Sequence, residues 1–310
     1  MGRSMACMSR RIVSLAVALF LCAGSWTVEA DTLDKVRVSK ALHLGHRSGS
    51  IPFSYLGNTG QPIGYAIDLC KHLAAAIAKE IRQPEMQIVW IPIGPNERNS
   101  ALMDGLIDLD CGDSTVTAQS QKVIAFSIPI YLAGTRLLVP KAASIAEIGT
   151  LSGMKVVTTT QSGNEAMLRH VLGQTGVTAD VVVARTAKAA TEVLTTGQAQ
   201  ALFADDATLF GIRNLTKDQA QFTTLPKTYS LRPKALAYRK DDERLRTLVT
   251  REIKTLIASG LIQRAHEQWF NSPLPDSVVD LKTPISYLLR DTWKTPTDVY
   301  TDYAYGHLPD

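Results

Sequence analysis

The sequence has few cysteines, no clustered histidines, no long apolar span and no large excess of charge. Its four cysteines include Cys7 and Cys22 in the first thirty residues, which leaves only Cys70 and Cys111 beyond them. Two isolated cysteines without a histidine cluster nearby argue against a metal site. In an oxidising compartment the two could form a disulfide, and two separately buried thiols fit equally well, since Cys70 falls on an apolar helix pattern and Cys111 at a strand end. The formal net charge is +4, and the first thirty residues hold three of the arginines and one glutamate, so the remainder is close to balanced. That excludes a nucleic-acid or anionic-membrane partner recruited by bulk charge. No GxSxG, HExxH, P-loop or GxGxxG is present, so no enzyme class announces itself by motif and no cofactor is implied. Internal repeats and low-complexity linkers are also missing. At 310 residues the chain suits two domains with cores of their own, joined by ordered strands.

What is present begins with a leader. Arg3, Arg10 and Arg11 precede the apolar run Ile12 to Ala23, and Val28-Glu29-Ala30 has the small-residue pattern of a signal-peptidase site. The run is shorter than the roughly 20 residues that a membrane span needs. Residues 1–30 are therefore expected to be a signal peptide, with Asp31 as the new N-terminus. Leu21 before Cys22 does not suit a lipid anchor, which favours soluble export.

The remainder alternates strand and helix patterns, the signature of parallel sheets covered by helices. Strands are expected at Leu42 to Arg47 and Met86 to Ile93, around a helix over Gly64 to Ile81 in which Leu69, Leu73, Ile77 and Ile81 recur every four residues. A short helix carrying Arg98, a strand ending in Leu109-Asp110-Cys111 and a Gly-Asp-Ser-Thr turn follow. After a strand at Gly134 to Pro140 the rhythm restarts: strands at Lys155 to Thr160, Asp180 to Ala184 and Ala201 to Ala204 alternate with helices at Asn164 to Leu172 and Ala187 to Thr195. A strand-like run at Lys234 to Arg239 precedes an amphipathic helix over Asp242 to Ala258. The tail from Pro273 is expected to be irregular structure or short helices.

Several residues stand where α/β sheets bind ligands, at strand carboxyl ends. Arg47 and Arg98 are both able to reach one sheet edge, where paired guanidiniums read a carboxylate; their alternative is two solvated surface arginines. Thr158 to Gly163 leads straight into a helix, so Thr160 and Ser162 suit an anion or ordinary N-capping. Asp205-Asp206 ends a strand, where a carboxylate binds an ammonium group or caps the next helix. His46 beside Arg47 reads as structural.

Taken in order, TLDKVRVSKALHLGHRSGSIPFSY, IGPNERNSALMDGLIDLDCGDST, FSIPIYLAGTRLLVP, ADDATLFG, AYRKDD and HEQWFNSPLP resemble the periplasmic solute-binding proteins of polar amino acid ABC transporters, in the glutamate/aspartate-binding group. The resemblance implies an α/β fold of type II with two lobes, each an α/β sheet domain, joined by two crossing strands. Lobe one would be residues 31–132 plus 231–310, and lobe two residues 133–230. It implies that Arg47 and Arg98 hold the side-chain carboxylate of an acidic amino acid, that Asp205 takes its α-ammonium, and that the turn Asp113-Ser114-Thr115 receives the α-carboxylate; beside what the resemblance implies, the carboxylate of Asp113 is a second candidate for a cationic amine. The chain departs from the group at Asp113, where Ser or Thr is usual, and at Ser120, where an arginine is usual. The partners implied are an amino acid ligand and an ABC permease in the inner membrane, with a monomeric protein in the periplasm. The alternatives are a secreted enzyme on the same fold, such as a cyclohexadienyl-type dehydratase with Asp113 as general acid, and a ligand-sensing partner of a membrane receptor.

Overall fold

The computed structural model describes residues 31–94, 96–160, 163–215, 221–275 and 281–300. The leader over residues 1–30 and Ser162 lie outside the described residues. From Asp31 the chain runs through α1 (Thr32–Ser39), β1 (Ala41–His46), a small antiparallel sheet of β2 (Gly49–Ser50), β3 (Ser54–Leu56) and β4 (Pro62–Ile63), then α2 (Tyr65–Glu80) and β5 (Gln87–Pro92). It continues through α3 (Arg98–Met103), β6 (Leu109–Asp110), α4 (Ala118–Gln121) and β7 (Ile124–Phe126). A second run follows: β8 (Tyr131–Pro140), β9 (Lys155–Thr159), α5 (Asn164–Thr175), β10 (Asp180–Ala184), α6 (Ala187–Thr195), β11 (Ala201–Asp205), α7 (Asp206–Leu215), β12 (Phe222–Thr224) and β13 (Ser230–Lys234). The chain then returns through β14 (Ala237–Arg239) to α8 (Glu243–Ala258), α9 (Leu261–Phe270) and α10 (Tyr287–Thr292).

Two mixed sheets result. One has the order β5-β1-β6-β14-β7, with β1 parallel to β5 and β6 and with β14 antiparallel to its neighbours. The other has the order β10-β9-β11-β8-β12, with β13 also paired to β8. Helices pack on each sheet because their apolar residues recur at helical spacing. On α2, Leu69, Cys70, Leu73, Ala74 and Ile77 are buried; each fully buried Leu or Ile contributes about 1.5–3 kcal/mol, so Leu73→Asp would undo the packing. The cap before α2 is Gly64 at φ 135°, where a Cβ would stand 2.4 Å from the Phe53 carbonyl oxygen. On α8, Leu245, Leu248, Val249, Ile253 and Leu256 face the core, and Asp242 caps the helix by accepting from the Leu245 amide.

The chain passes between sheets twice. Residues 127–130 leave β7 for β8, and Ala235-Leu236 leave β13 for β14. The expected single run at Lys234 to Arg239 is therefore two strands in different sheets, because the chain changes sheet at its middle. Likewise β8 begins at Tyr131 rather than Gly134, since its first residues pair with β13 (Tyr131 opposite Lys234). Both passages are held: Ser127 donates its amide to the Leu236 carbonyl, Tyr65 Oη donates to the Ile130 carbonyl, and Trp293 Nε1 donates to the Pro129 carbonyl. Trp293 belongs to the C-terminal tail, where the one short helix among the described residues is α10.

Cys70 and Cys111 form a disulfide with Cα atoms 6.1 Å apart, which resolves the two readings of these cysteines. It joins α2 to the residue after β6, directly before the Gly112 to Thr115 turn. Among the described residues no helix is long and apolar enough to cross a membrane.

Candidate functional site

A cavity of about 670 Å³ opens beside the carboxyl ends of β1, β5 and β6 on one side and of β9 on the other. The first sheet's side supplies Arg47, Ser48, Arg98, Asn99, Asp113, Thr115 and Thr117 among others, and the second side supplies Thr160, Gly163 and Thr208. Five of the eight residues expected from sequence thus line one cavity: Arg47, Arg98, Asp113, Thr115 and Thr160. Ser114 and Asp205 are brought in just behind it, and Ser162 lies outside the described residues.

Arg47 follows β1 and is nearly fully buried. Its guanidinium donates to the Ile93 carbonyl at 3.0 Å and to Asp110 Oδ2 at 3.1 Å, and Nη1 stands 2.9 Å from Asp110 Oδ1. Gly112 lies flat against this guanidinium; a Cβ there would fall 2.9 Å from Arg47 Cζ. Arg98 opens α3 and donates to Asn99 Oδ1 at 3.2 Å and to Ser114 Oγ at 2.9 Å, while Ser114 in turn donates to Asp110. Burial lowers the Arg98 pKa, and the nearby Asp110 charge pulls it back up. No carboxylate among the described residues lies within ion-pair distance of Arg98. It is a cation whose hydrogen bonds go only to neutral side chains, so a carboxylate entering the cavity would meet a guanidinium with no ion-pair partner in contact.

Asp205 ends β11 with no exposed surface. Its Oδ1 accepts the Thr208 amide at 2.9 Å, which caps α7, and its Oδ2 accepts from Lys234 Nζ at 3.1 Å. Burial alone would raise its pKa; the Lys234 charge, the Thr208 amide and Arg232 outweigh that and hold it below the usual carboxylate value. Asp205 caps α7, and the ammonium it holds here is the chain's own Lys234. Lys234 is also fully buried and donates to Thr115 Oγ1 at 2.9 Å, so it touches both sides of the cavity. Arg232, likewise buried, donates to the Gly163 carbonyl at 3.0 Å, and burial lowers its pKa.

Beside Asp205, Asp206 accepts the Gly134 amide at 2.9 Å, and burial raises its pKa to about 6. Thr158 and Thr159 turn inward: Thr158 Oγ1 donates to the Phe203 carbonyl and Thr159 Oγ1 accepts from Asn164. No side chain caps α5, whose preceding residue is Gly163. Ser120 does not reach the cavity; with Thr117 it forms the capping box of α4. His46 bonds the Arg47 carbonyl through Nδ1 and lies edge-on to Trp90, a structural role.

Sequence reasoning missed Lys234, Arg232 and Asp110. The signal available for the first two was a pair of cations two residues apart in an otherwise apolar strand, which places both on one face. Among the described residues no group of three or more His, Cys, Asp or Glu is able to hold a metal ion.

The family of bacterial extracellular solute-binding proteins, family 3, matches residues 42–272. An L-glutamate/L-aspartate-binding protein of Pseudomonas aeruginosa is 32% identical over 289 residues, covering 92% of this chain and 96% of that protein. A glutamate/aspartate import solute-binding protein of Escherichia coli is 29% identical over 297 residues, covering 93% and 98%. Among solved structures, an ancestral amino acid-binding protein described as a precursor of cyclohexadienyl dehydratase superposes with a TM-score of 0.64 at 23% identity, covering 78% of this chain and 100% of that one. At that identity the likeness speaks for the fold alone.

Proposed function

The chain belongs to family 3 of the bacterial extracellular solute-binding proteins, and from that premise we propose that it is the periplasmic receptor of an ABC importer for a small acidic amino acid. The ligand class is glutamate or aspartate, the solutes named for its relatives in Pseudomonas aeruginosa and Escherichia coli. These relatives are named as binding proteins, and the protein is a binder rather than an enzyme. The observation that carries the ligand class is Arg98: a part-buried guanidinium, facing a cavity between two α/β lobes, with no carboxylate partner among the described residues.

In this reading Arg98 and Arg47 receive the ligand's side-chain carboxylate. Arg47 is oriented by Asp110, and Arg98 by Ser114, so both forks are fixed before the ligand arrives. Thr115 and Thr160 add hydroxyl donors from opposite walls. The expected lobes, 31–132 plus 231–310 and 133–230, shift at their joins to 31–126 plus 237–310 and 131–234, because Tyr131 and Leu132 pair with Pro233 and Lys234 inside the second sheet, and the passages at 127–130 and 235–236 form the hinge. The ligand bridges the walls, so it binds the closed arrangement better and shifts the population toward it. The closed form then docks on a permease in the inner membrane as a monomer.

A thermal-shift panel of the twenty amino acids and a series of dicarboxylates tests this. L-Glutamate or L-aspartate is expected to raise the melting temperature in a concentration-dependent way, by the stabilisation that ligand binding gives the folded state. No shift with either would sink the acidic-amino-acid assignment.

A further inference from the structure

Three carboxylates surround the inner end of the cavity, and they differ in what they already hold. Asp110 has its charge met by the Arg47 guanidinium and its Oδ2 accepts from Arg47 and the Ser114 hydroxyl, while its Oδ1 is buried without a hydrogen bond. Asp205 is saturated by Lys234 and the Thr208 amide and has no exposed surface. Asp113 accepts no hydrogen bond among the described residues. Its Oδ1 is 3.9 Å from Arg47 Nε and its Oδ2 is 4.0 Å from Lys234 Nζ, both far outside the 2.7–2.9 Å of a charge-assisted hydrogen bond. Its side chain is 21% exposed, and it lines the cavity that Asp205 and Asp110 do not.

A carboxylate offers about four lone-pair positions, and an ammonium brings three donors and no acceptor. An amino acid entering this cavity therefore meets a cation in Arg98 and, in Asp113, a carboxylate that has two cations at the edge of ion-pair range and no hydrogen bond of its own. Of the two buried carboxylates there, Asp110 has its charge met by Arg47 and Asp205 by an ammonium that belongs to the chain. Displacing Lys234 would strand a fully buried charge, a loss far larger than one surface ion pair.

We propose that Asp113 is the group that receives the ligand's ammonium, in place of Asp205, which Lys234 already neutralises. The inference rests on the acidic-amino-acid reading above and adds where discrimination between an amino acid and its deaminated counterpart is made. Lys234 and Asp205 act together as a neutral buried strut, and the amine is read from the same wall as the carboxylate.

Calorimetric titration with L-glutamate and with glutarate, which has hydrogen in place of the ammonium, tests the assignment. Wild type is expected to bind glutamate more tightly than glutarate. Asp113→Asn is expected to weaken glutamate by about 10–100-fold, the scale of one hydrogen bond to a charged group, and to leave glutarate unchanged or tighter. The double variant Asp205→Asn with Lys234→Met, which removes both charges of the strut, is expected to keep the preference for glutamate. Equal weakening of both ligands by Asp113→Asn overturns the inference, as does loss of the preference in the double variant alone. Wild type that binds both ligands equally also overturns it while leaving the receptor reading in place. Wild type that binds neither glutamate, aspartate nor glutarate removes the receptor's ligand class and the inference with it.

Discussion

The two walls of the cavity are built from different materials. The first lobe presents charge: Arg47, Arg98 and Asp113, with the turn from Gly112 to Thr115 stapled by the Cys70–Cys111 disulfide and backed by Asp110. The second lobe presents hydroxyls and backbone, from Thr160, Gly163 and Thr208, and keeps its own charges, Asp205 and Asp206, occupied behind the surface. A wall of fixed charges recognises and orients an ionic ligand, because a fork held in place loses little freedom on binding. A wall of neutral groups completes the ligand's hydrogen bonds on closure without competing for its charges. On the proposed function, that difference divides selectivity and closure between the lobes.

The largest expected effect is on the staple. Cys70→Ala with Cys111→Ala reopens a loop with a sequence separation of 41, for which loop entropy gives about 4 kcal/mol, measured as a lower denaturation midpoint. Ligand affinity should fall as well, since the turn that carries Asp113 loses its anchor. Next comes Arg98→Ala, expected to weaken glutamate binding by about 100-fold or roughly 3 kcal/mol in calorimetry, since a charge-assisted partner of the ligand is removed. Unchanged affinity would take Arg98 out of the site and erase the contrast between walls.

The lobes also answer acid in opposite directions. Burial raises Asp206 to about 6 from an unfolded value of 3.8, so its cost to stability is absent below pH 4, grows between pH 4 and 6 and is complete above. Burial lowers His266, stacked on Phe270 in the first lobe, to about 4 from 6.5, so its stability is present above pH 6.5 and lost as pH falls toward 4. The two slopes oppose each other over one window. Asp206→Asn is therefore expected to gain up to about 3 kcal/mol at pH 7 and nothing at pH 4, and to steepen the acid loss due to His266, read from urea midpoints against pH. The smallest effect is assigned to Thr160→Val, a few-fold loss of affinity or about 1 kcal/mol. A loss as large as that from Arg98→Ala would show that the second wall also selects.

Much of the fold was legible because its longer helices are periodic; the spacing on α2 and α8 named Leu69, Leu73 and Ile77 and Leu245, Leu248, Val249, Ile253 and Leu256, all of which are buried. The sheet crossings were not, since Lys234 to Arg239 has continuous strand character and nothing local marks where the chain changes partners. In the site, Arg47 and Arg98 were legible as polar groups next to strand ends. Lys234 was not, because a lysine at the end of a strand reads as a solvated terminus, and only its neighbours in space, Asp205 and Thr115, make it internal. The disulfide stayed open for the same reason: two apolar settings in sequence carry no statement of their distance.

Lys234 sits where β13 leaves the second sheet, bonded to Thr115 on one side and Asp205 on the other. In a hinged body, displacement grows with distance from the axle, so a group at the axle is carried along rather than torn apart. An ionic contact there is able to persist through opening and closing, and it contributes the same energy to both. The gain or loss on each stroke is left to groups farther from the axle.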